Sequence, residues 1–142
     1  VLEHLLNGLG MTGIGGKVSA GYGKFHVVDT ILLNEPFDTQ TEWLYRALAA
    51  DHAAQQLLLT TSLPQDTELD SALEVASFQL VRRSGFMASD HVDTPQKKKT
   101  QYFLAAGSVL QHRYQGALYD VSLVESHPAY RYSKPIFMGV SL

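Results

Sequence analysis

The sequence predicts an α+β fold with a mainly antiparallel sheet. Three observations carry that prediction. Two segments place apolar residues at helical spacing, and short alternating or continuous apolar runs recur between turn residues. No βαβ unit surrounds the glycine-rich stretch near the start, so nothing calls for a parallel sheet.

Leu2, Leu5, Leu6 and Leu9 share one helical face, and Gly8 with Gly10 is expected to end that helix. The stretch GIGGKVSAGYGKF (13–25) follows and leads into a predicted strand, KFHVVDTILL (24–33). Residues 39–54 read as a second helix, with Trp43, Leu44, Ala47 and Leu48 facing inward. AQQLLLTTSL (54–63) reads as a buried strand ended by Pro64, after which Asp66 or Thr67 can cap a short acidic helix, TELDSALEVA (67–76). FQLVRRSGFM (78–87) is a strand running into a turn at Ser84 and Gly85. The polar segment 88–100, with Pro95 and Lys97, Lys98 and Lys99 in a row, reads as a mobile loop or hairpin tip. Three more strands are expected within QYFLAAGSVL (101–110), GALYDVSLV (116–124) and PIFMGVSL (135–142), with SHPAYRYSKP (126–135) as the last connection. There is no internal repeat.

At 142 residues the chain has room for one ordinary domain with a real core. It contains no cysteine, which excludes disulfides and thiolate metal sites and makes a cytoplasmic address natural. No apolar run reaches the ~20 residues of a membrane span, so no membrane partner is expected. The chain opens without Met on residues already at helical spacing, as an excised fragment would.

The net charge of −3 conceals a division. Between Phe25 and Val81 there are nine acidic residues and one basic, Arg46; from Arg82 onward there are eight basic and four acidic. Such segregation suits a basic surface for a polyanion and an acidic surface elsewhere, although acidic helices are also ordinary solvated faces.

The glycine-rich stretch fails two familiar phosphate motifs. Gly8, Gly10 and Gly13 satisfy G-x-G-x-x-G, but a helix precedes them where a dinucleotide site needs a strand. Gly16-Lys17 is followed by Val18, and Met11 stands where an NTPase loop needs its first glycine. What remains is a run of glycines whose N–H groups can converge on an anion, with Lys17 and Lys24 supplying charge. The other explanation is a loop packed too tightly between helix and sheet to admit side chains.

At these residues the sequence resembles a family. GIGGKVSAGYGKF after a leucine-rich helix looks like the glycine-rich loop of RAMP proteins, the repeat-associated RNA-binding subunits of CRISPR systems. LVRRSGF, YFLAAGSVL and HPAYRYSKPIF, in that order, are similar to the C-terminal half of the fourth subunit of type III-A Csm complexes. The resemblance implies a ferredoxin-like (RRM-like) fold, with residues 1–33 completing one such unit and 34–142 forming a second. It also implies a prokaryotic, non-enzymatic RNA-binding subunit that holds the 5′ handle of the CRISPR RNA. Its implied protein partners are a large polymerase-like subunit and a backbone RAMP subunit, with no cofactor.

The RNA-binding residues expected on both grounds are Gly13, Gly15, Gly16, Lys17, Ser19, Gly21, Tyr22, Gly23 and Lys24 in the loop, with Arg82, Arg83, His127, Tyr130, Arg131, Tyr132 and Lys134 further on. Arg82 and Arg83 start toward opposite faces of a strand, so one is expected at the core edge and the other free for phosphate. Two tyrosines flanking Arg131 can stack on unpaired bases, with at least one tyrosine otherwise expected in the core. Lys97, Lys98 and Lys99 would give nonspecific, salt-sensitive contact at most. His4, His26, His112 and His127 allow a metal-independent ribonuclease, but no two share a local motif. No H-x-x-x-H spacing or carboxylate cluster suggests a metal. A third reading makes the acidic residues Glu68, Asp70 and Glu74 a docking face for a neighbouring protein.

Overall fold

The computed structural model describes residues 1–33, 38–87, 96–123 and 128–140. Two compact units emerge, Val1–Phe37 and Asp38–Leu142.

In the first unit, helix α1 (Leu2–Thr12) runs through Gly8 and Gly10, past the predicted stop. A helical glycine only weakens a helix; the end comes at Gly13, whose φ of +89° leaves the helical region while its N–H donates to Leu9 O at 2.7 Å. Gly10 is glycine for another reason: a Cβ there would run into the Phe25 backbone. The chain returns along that side, where Phe25 N–H donates to Gly10 O at 3.2 Å and Ile14 N–H to Gly23 O at 3.1 Å. Residues 24–33 form no strand, contrary to expectation, because no described residue offers them a hydrogen-bonded ladder. The leucine face of α1 is likewise largely exposed.

The second unit is α+β, and its strands pair antiparallel throughout. The expected sheet is distributed over three small ones. β1 (Gln55–Leu58) is central in the largest, flanked by β4 (Val109–Leu110) and β7 (Phe137–Val140). β2 (Leu80–Arg83) pairs with β3 (Gln101–Leu104), and β5 (Leu118–Asp120) with β6 (Tyr130–Tyr132). β1 is shorter than its apolar run because the chain beyond it changes partners. Leu59 N–H donates to Ile136 O at 2.8 Å, while Ser62 and Leu104 exchange backbone hydrogen bonds at 3.2 and 2.9 Å.

Leu58, Leu104, Leu110, Tyr114 and Phe137 form the core with Ala72 of helix α3 (Leu69–Leu73). The Tyr114 ring meets Phe137 edge-on, with centroids 5.2 Å apart. Burial pushes the Tyr114 hydroxyl pKa up to about 12, against the opposing effect of its 2.6 Å hydrogen bond with Ser62 Oγ.

Helix α2 (Thr39–Ala49) is capped by Asp38, whose Oδ1 accepts from Thr41 N–H at 2.8 Å. It stops short of the predicted end at Ala54. Buried Gln56 reaches back there, its Nε2 donating to Ala50 O at 2.9 Å and Ala53 O at 3.2 Å. β7 approaches the end of α2 so closely that a Cβ at Gly139 would lie 2.7 Å from the Cβ atoms of Ala50 and Ala53. Trp43, expected inside, is exposed; Leu44, Ala47 and Leu48 are half-buried. None of the described helices is long and apolar enough to cross a membrane.

Candidate nucleic-acid interface

The glycine-rich loop separates its glycines into two sets. Gly13 and Gly23 are packed against the loop's own backbone: a Cβ on Gly13 would lie 3.0 Å from Tyr22 O, and one on Gly23 would run into Ile14 O. At Gly15, Gly16 and Gly21 an added Cβ meets nothing within 4 Å. Gly15 and Gly21 have φ of +99° and +85°, which explains their identity by conformation. Gly16 has neither reason: no positive φ and no crowding.

The loop's amides divide similarly. Those of Gly13, Ile14, Ala20, Gly21 and Tyr22 have backbone acceptors within the unit. The successive N–H groups of Gly15, Gly16, Lys17, Val18 and Ser19 have none among the described residues. They precede a single 3₁₀ turn, Val18–Ala20, and Lys17, Ser19, Tyr22 and Lys24 around them are all exposed. Neither lysine forms an ion pair among the described residues. A run of unpaired backbone donors in a loop that also carries two exposed lysines has the chemistry to bind an oxyanion.

In the second unit the structure reorders the expected residues. Arg131 points inward, with its guanidinium 5.7 Å from the Phe103 ring centroid and its Nη1 donating to Arg83 O at 3.2 Å. Tyr119, directly across from it, also faces inward, its hydroxyl donating to Pro64 O at 2.7 Å. Alternation therefore sends Tyr130 and Tyr132 to the outer face of the β5–β6 ribbon. They are 63% and 70% exposed, so neither occupies the core as one was expected to. Arg82 and Arg83 are both exposed, and Arg83 serves the fold through its carbonyl rather than by covering a core edge. Lys134 is exposed beyond β6, and His127 lies outside the described residues. The lysine run is partly anchored: Lys97 bridges to Phe86, and Lys98 and Lys99 donate backbone N–H groups to Gly85 O and Val121 O. Residues 88–95 of the expected loop lie outside the described residues.

The chain matches the family model described as CRISPR Csm4 C-terminal domain over residues 51–140. That is more than half of its length. This chain belongs to the Csm4 C-terminal domain family. It is 38% identical over 141 residues to a Mycobacterium tuberculosis protein named CRISPR system Cms protein Csm4, covering 99% of this chain and 42% of that relative. A Streptococcus thermophilus protein of the same name is 31% identical over 143 residues, covering 100% of this chain and 45% of the relative. The chain thus spans less than half the length of these relatives. The model match takes in β2, β3, β5, β6 and Lys134; the glycine loop precedes it and falls within the alignments to both relatives.

Two residues, Tyr102 and Arg113, went unnoticed in the sequence, and a third, Glu68, has a different role from the one expected. Tyr102 stands directly opposite Arg82 in the β2–β3 ladder, 56% exposed, giving a second pairing of an aromatic with a cation. The alternation in QYFL carried that signal. Arg113 binds Gln56 Oε1 at 2.7 Å, Leu48 O at 2.9 Å and Asp51 Oδ1 at 2.6 Å, tying β1 to the end of α2, and no local motif announces it. Glu68 is an internal anchor rather than part of a free docking face. It accepts backbone N–H groups from Gln65 at 2.9 Å, Gln115 at 2.8 Å and Gly116 at 3.1 Å. Burial works against its charge, but these three donors together hold its carboxyl below the usual range. A Glu three residues after Gln65, half of a capping box, was the legible signal.

Proposed function

We propose that this chain supplies an RNA-binding, non-enzymatic surface to a CRISPR Csm complex. In this reading it holds the 5′ handle of the CRISPR RNA through the glycine loop and the basic, aromatic ribbons. The subunit containing it bridges the large polymerase-like subunit to the RAMP backbone. The ferredoxin-like organisation, with residues 1–33 completing one unit and 34–142 forming another, belongs to the same proposal. Membership in the Csm4 C-terminal domain family and the names of the relatives support the assignment to a Csm complex.

The single observation that carries the RNA reading is Gly16. Nothing among the described residues demands a glycine there, and its amide belongs to a run, Gly15 to Ser19, that lacks an acceptor among them. A backbone phosphate approaching within hydrogen-bond distance would be excluded by many side chains and admitted by glycine. Phosphate contact also makes use of Lys17 and Lys24, which lie in the same loop.

Fluorescence anisotropy tests this, with the full-length protein titrated into labelled single-stranded RNA of the repeat 5′ handle, a scrambled RNA and matching DNA at two salt concentrations. Handle-selective, salt-sensitive binding is expected. Lys17→Glu and Arg82→Glu should each weaken it and reduce the salt slope by about 0.7 per lost phosphate contact. Charge reversal at Arg131 is a poor probe, since that side chain packs on Phe103. Repeat RNA incubated with the protein in EDTA should remain intact; specific cleavage would replace the scaffold reading with a ribonuclease.

A further inference from the structure

A cavity opens at the Tyr132 end of the β5–β6 ribbon, with a volume of about 790 Å³. Its floor is Phe137, Tyr114 and Leu48, and its rim carries Tyr132, Lys134 and Ile136. Arg113 forms one wall with its charge already paired: Asp51 lies 2.6 Å from its Nη1, and its guanidinium sits 5.9 Å from the Phe137 ring centroid, while its buried Nη2 has no hydrogen-bond partner among the described residues. Lys134, in contrast, makes no ion pair among the described residues. The cavity therefore combines an apolar floor, an exposed aromatic ring and one uncompensated cation.

Resting on the RNA-binding reading above, we propose that this cavity takes a single unpaired nucleotide of the bound RNA, its base against Tyr132 and its phosphate on Lys134. The cavity is within the ~300–1,000 Å³ typical of small-molecule sites. Approach is already provided for. Tyr130 and Tyr132 share the outer face of the ribbon, about 6.6–6.8 Å apart along the strand, roughly twice the ~3.4 Å rise of stacked bases. A strand of RNA running over that face meets one ring, then the next, then the cavity with Lys134 beyond it. A base stacked on either ring needs no sequence code, because every base has a π-face. An acidic peptide from a partner protein would also satisfy Lys134, but it would leave the two outward rings without a matching surface.

The test places 4-thiouridine at each position of the handle RNA in turn, crosslinks it to the full-length protein and maps the attachment by mass spectrometry. One position, or two adjacent ones, should crosslink to the peptide containing Tyr132. Tyr132→Ala should weaken binding about 5- to 100-fold, as loss of one stacked base does, while Tyr132→Phe keeps the ring and most of the affinity. Crosslinks confined to the glycine loop, with Tyr132→Ala binding like wild type, would overturn the inference and leave the RNA reading standing. Crosslinking of a partner protein at Tyr132 in the assembled complex, with RNA affinity unchanged by Tyr132→Ala, would overturn it in favour of protein docking. Absence of any RNA binding would remove both.

Discussion

Glycine serves more than one purpose in the two units, and Gly116 and Gly139 of the second contrast with the open glycines of the loop in the first. At Gly116 and Gly139 glycine admits the protein's own atoms: a Cβ at Gly116 would run into Ser133 O, and one at Gly139 would collide with Ala50 and Ala53, whereas Gly85 and Gly107 of the same unit face open space at positive φ. In the glycine loop, Gly15, Gly16 and Gly21 face open space. The polar groups follow the same division. Glu68, Gln56 and Tyr114 of the second unit turn their polar groups on the protein itself, whereas the loop leaves the successive amides of Gly15 to Ser19 without an acceptor among the described residues. Glycine content alone therefore says nothing of function; what the missing side chain makes room for does.

The largest effect that sharpens this contrast is expected at Gly116. Gly116→Ala combines a backbone collision with a φ of +60°, and should cost about 3 kcal/mol or more in urea denaturation. A loss below about 0.5 kcal/mol would show that the loop around Gly116 relaxes freely.

Tyr114→Phe comes next. It leaves Ser62 Oγ buried without its 2.6 Å partner and should cost about 1–3 kcal/mol by the same measurement.

Glu68→Gln should cost about 1–2 kcal/mol near neutral pH by weakening charge-assisted hydrogen bonds. Its pH signature is more diagnostic. The carboxyl titrates below its usual 4.5 when folded, so its stabilisation is present above that value and is lost as the pH falls through the folded pKa. Denaturation midpoints measured from pH 7 to pH 3 should decline more steeply for wild type than for Glu68→Gln; parallel curves would contradict the anchor role.

The smallest stability effect should be at Gly16. Gly16→Ala is expected to change stability by no more than about 0.5 kcal/mol, because the space is empty and the φ ordinary.

Much of this architecture was legible in sequence. Helical periodicity located α1 and the start of α2, and short apolar runs located the strands of the second unit other than β6, although QYFLAAGSVL, expected as one strand, divides into β3 and β4 in separate sheets. β6 was missed because SHPAYRYSKP, with its two prolines and two serines, reads as a connection, although Tyr-Arg-Tyr does alternate. The strand expected at 24–33 failed for a different reason: strand propensity is a statement about pairing, and no partner lies among the described residues. Within the site, Lys17 and the glycines could be read from local pattern. The inward turn of Arg131 could not, since it depends on Phe103 and Arg83, brought together only by the packing of two ribbons.

The most direct test of the central claim is the affinity of the full-length protein for labelled 5′-handle RNA, compared between wild type and Gly16→Val at matched thermal stability. A loss of about tenfold or more with an unchanged melting temperature is the predicted result, because the new side chain blocks the phosphate from the unpaired loop amides and meets no other described residue. Equal affinity at equal stability would contradict it, and would make the open glycines of this loop a feature of its conformation alone.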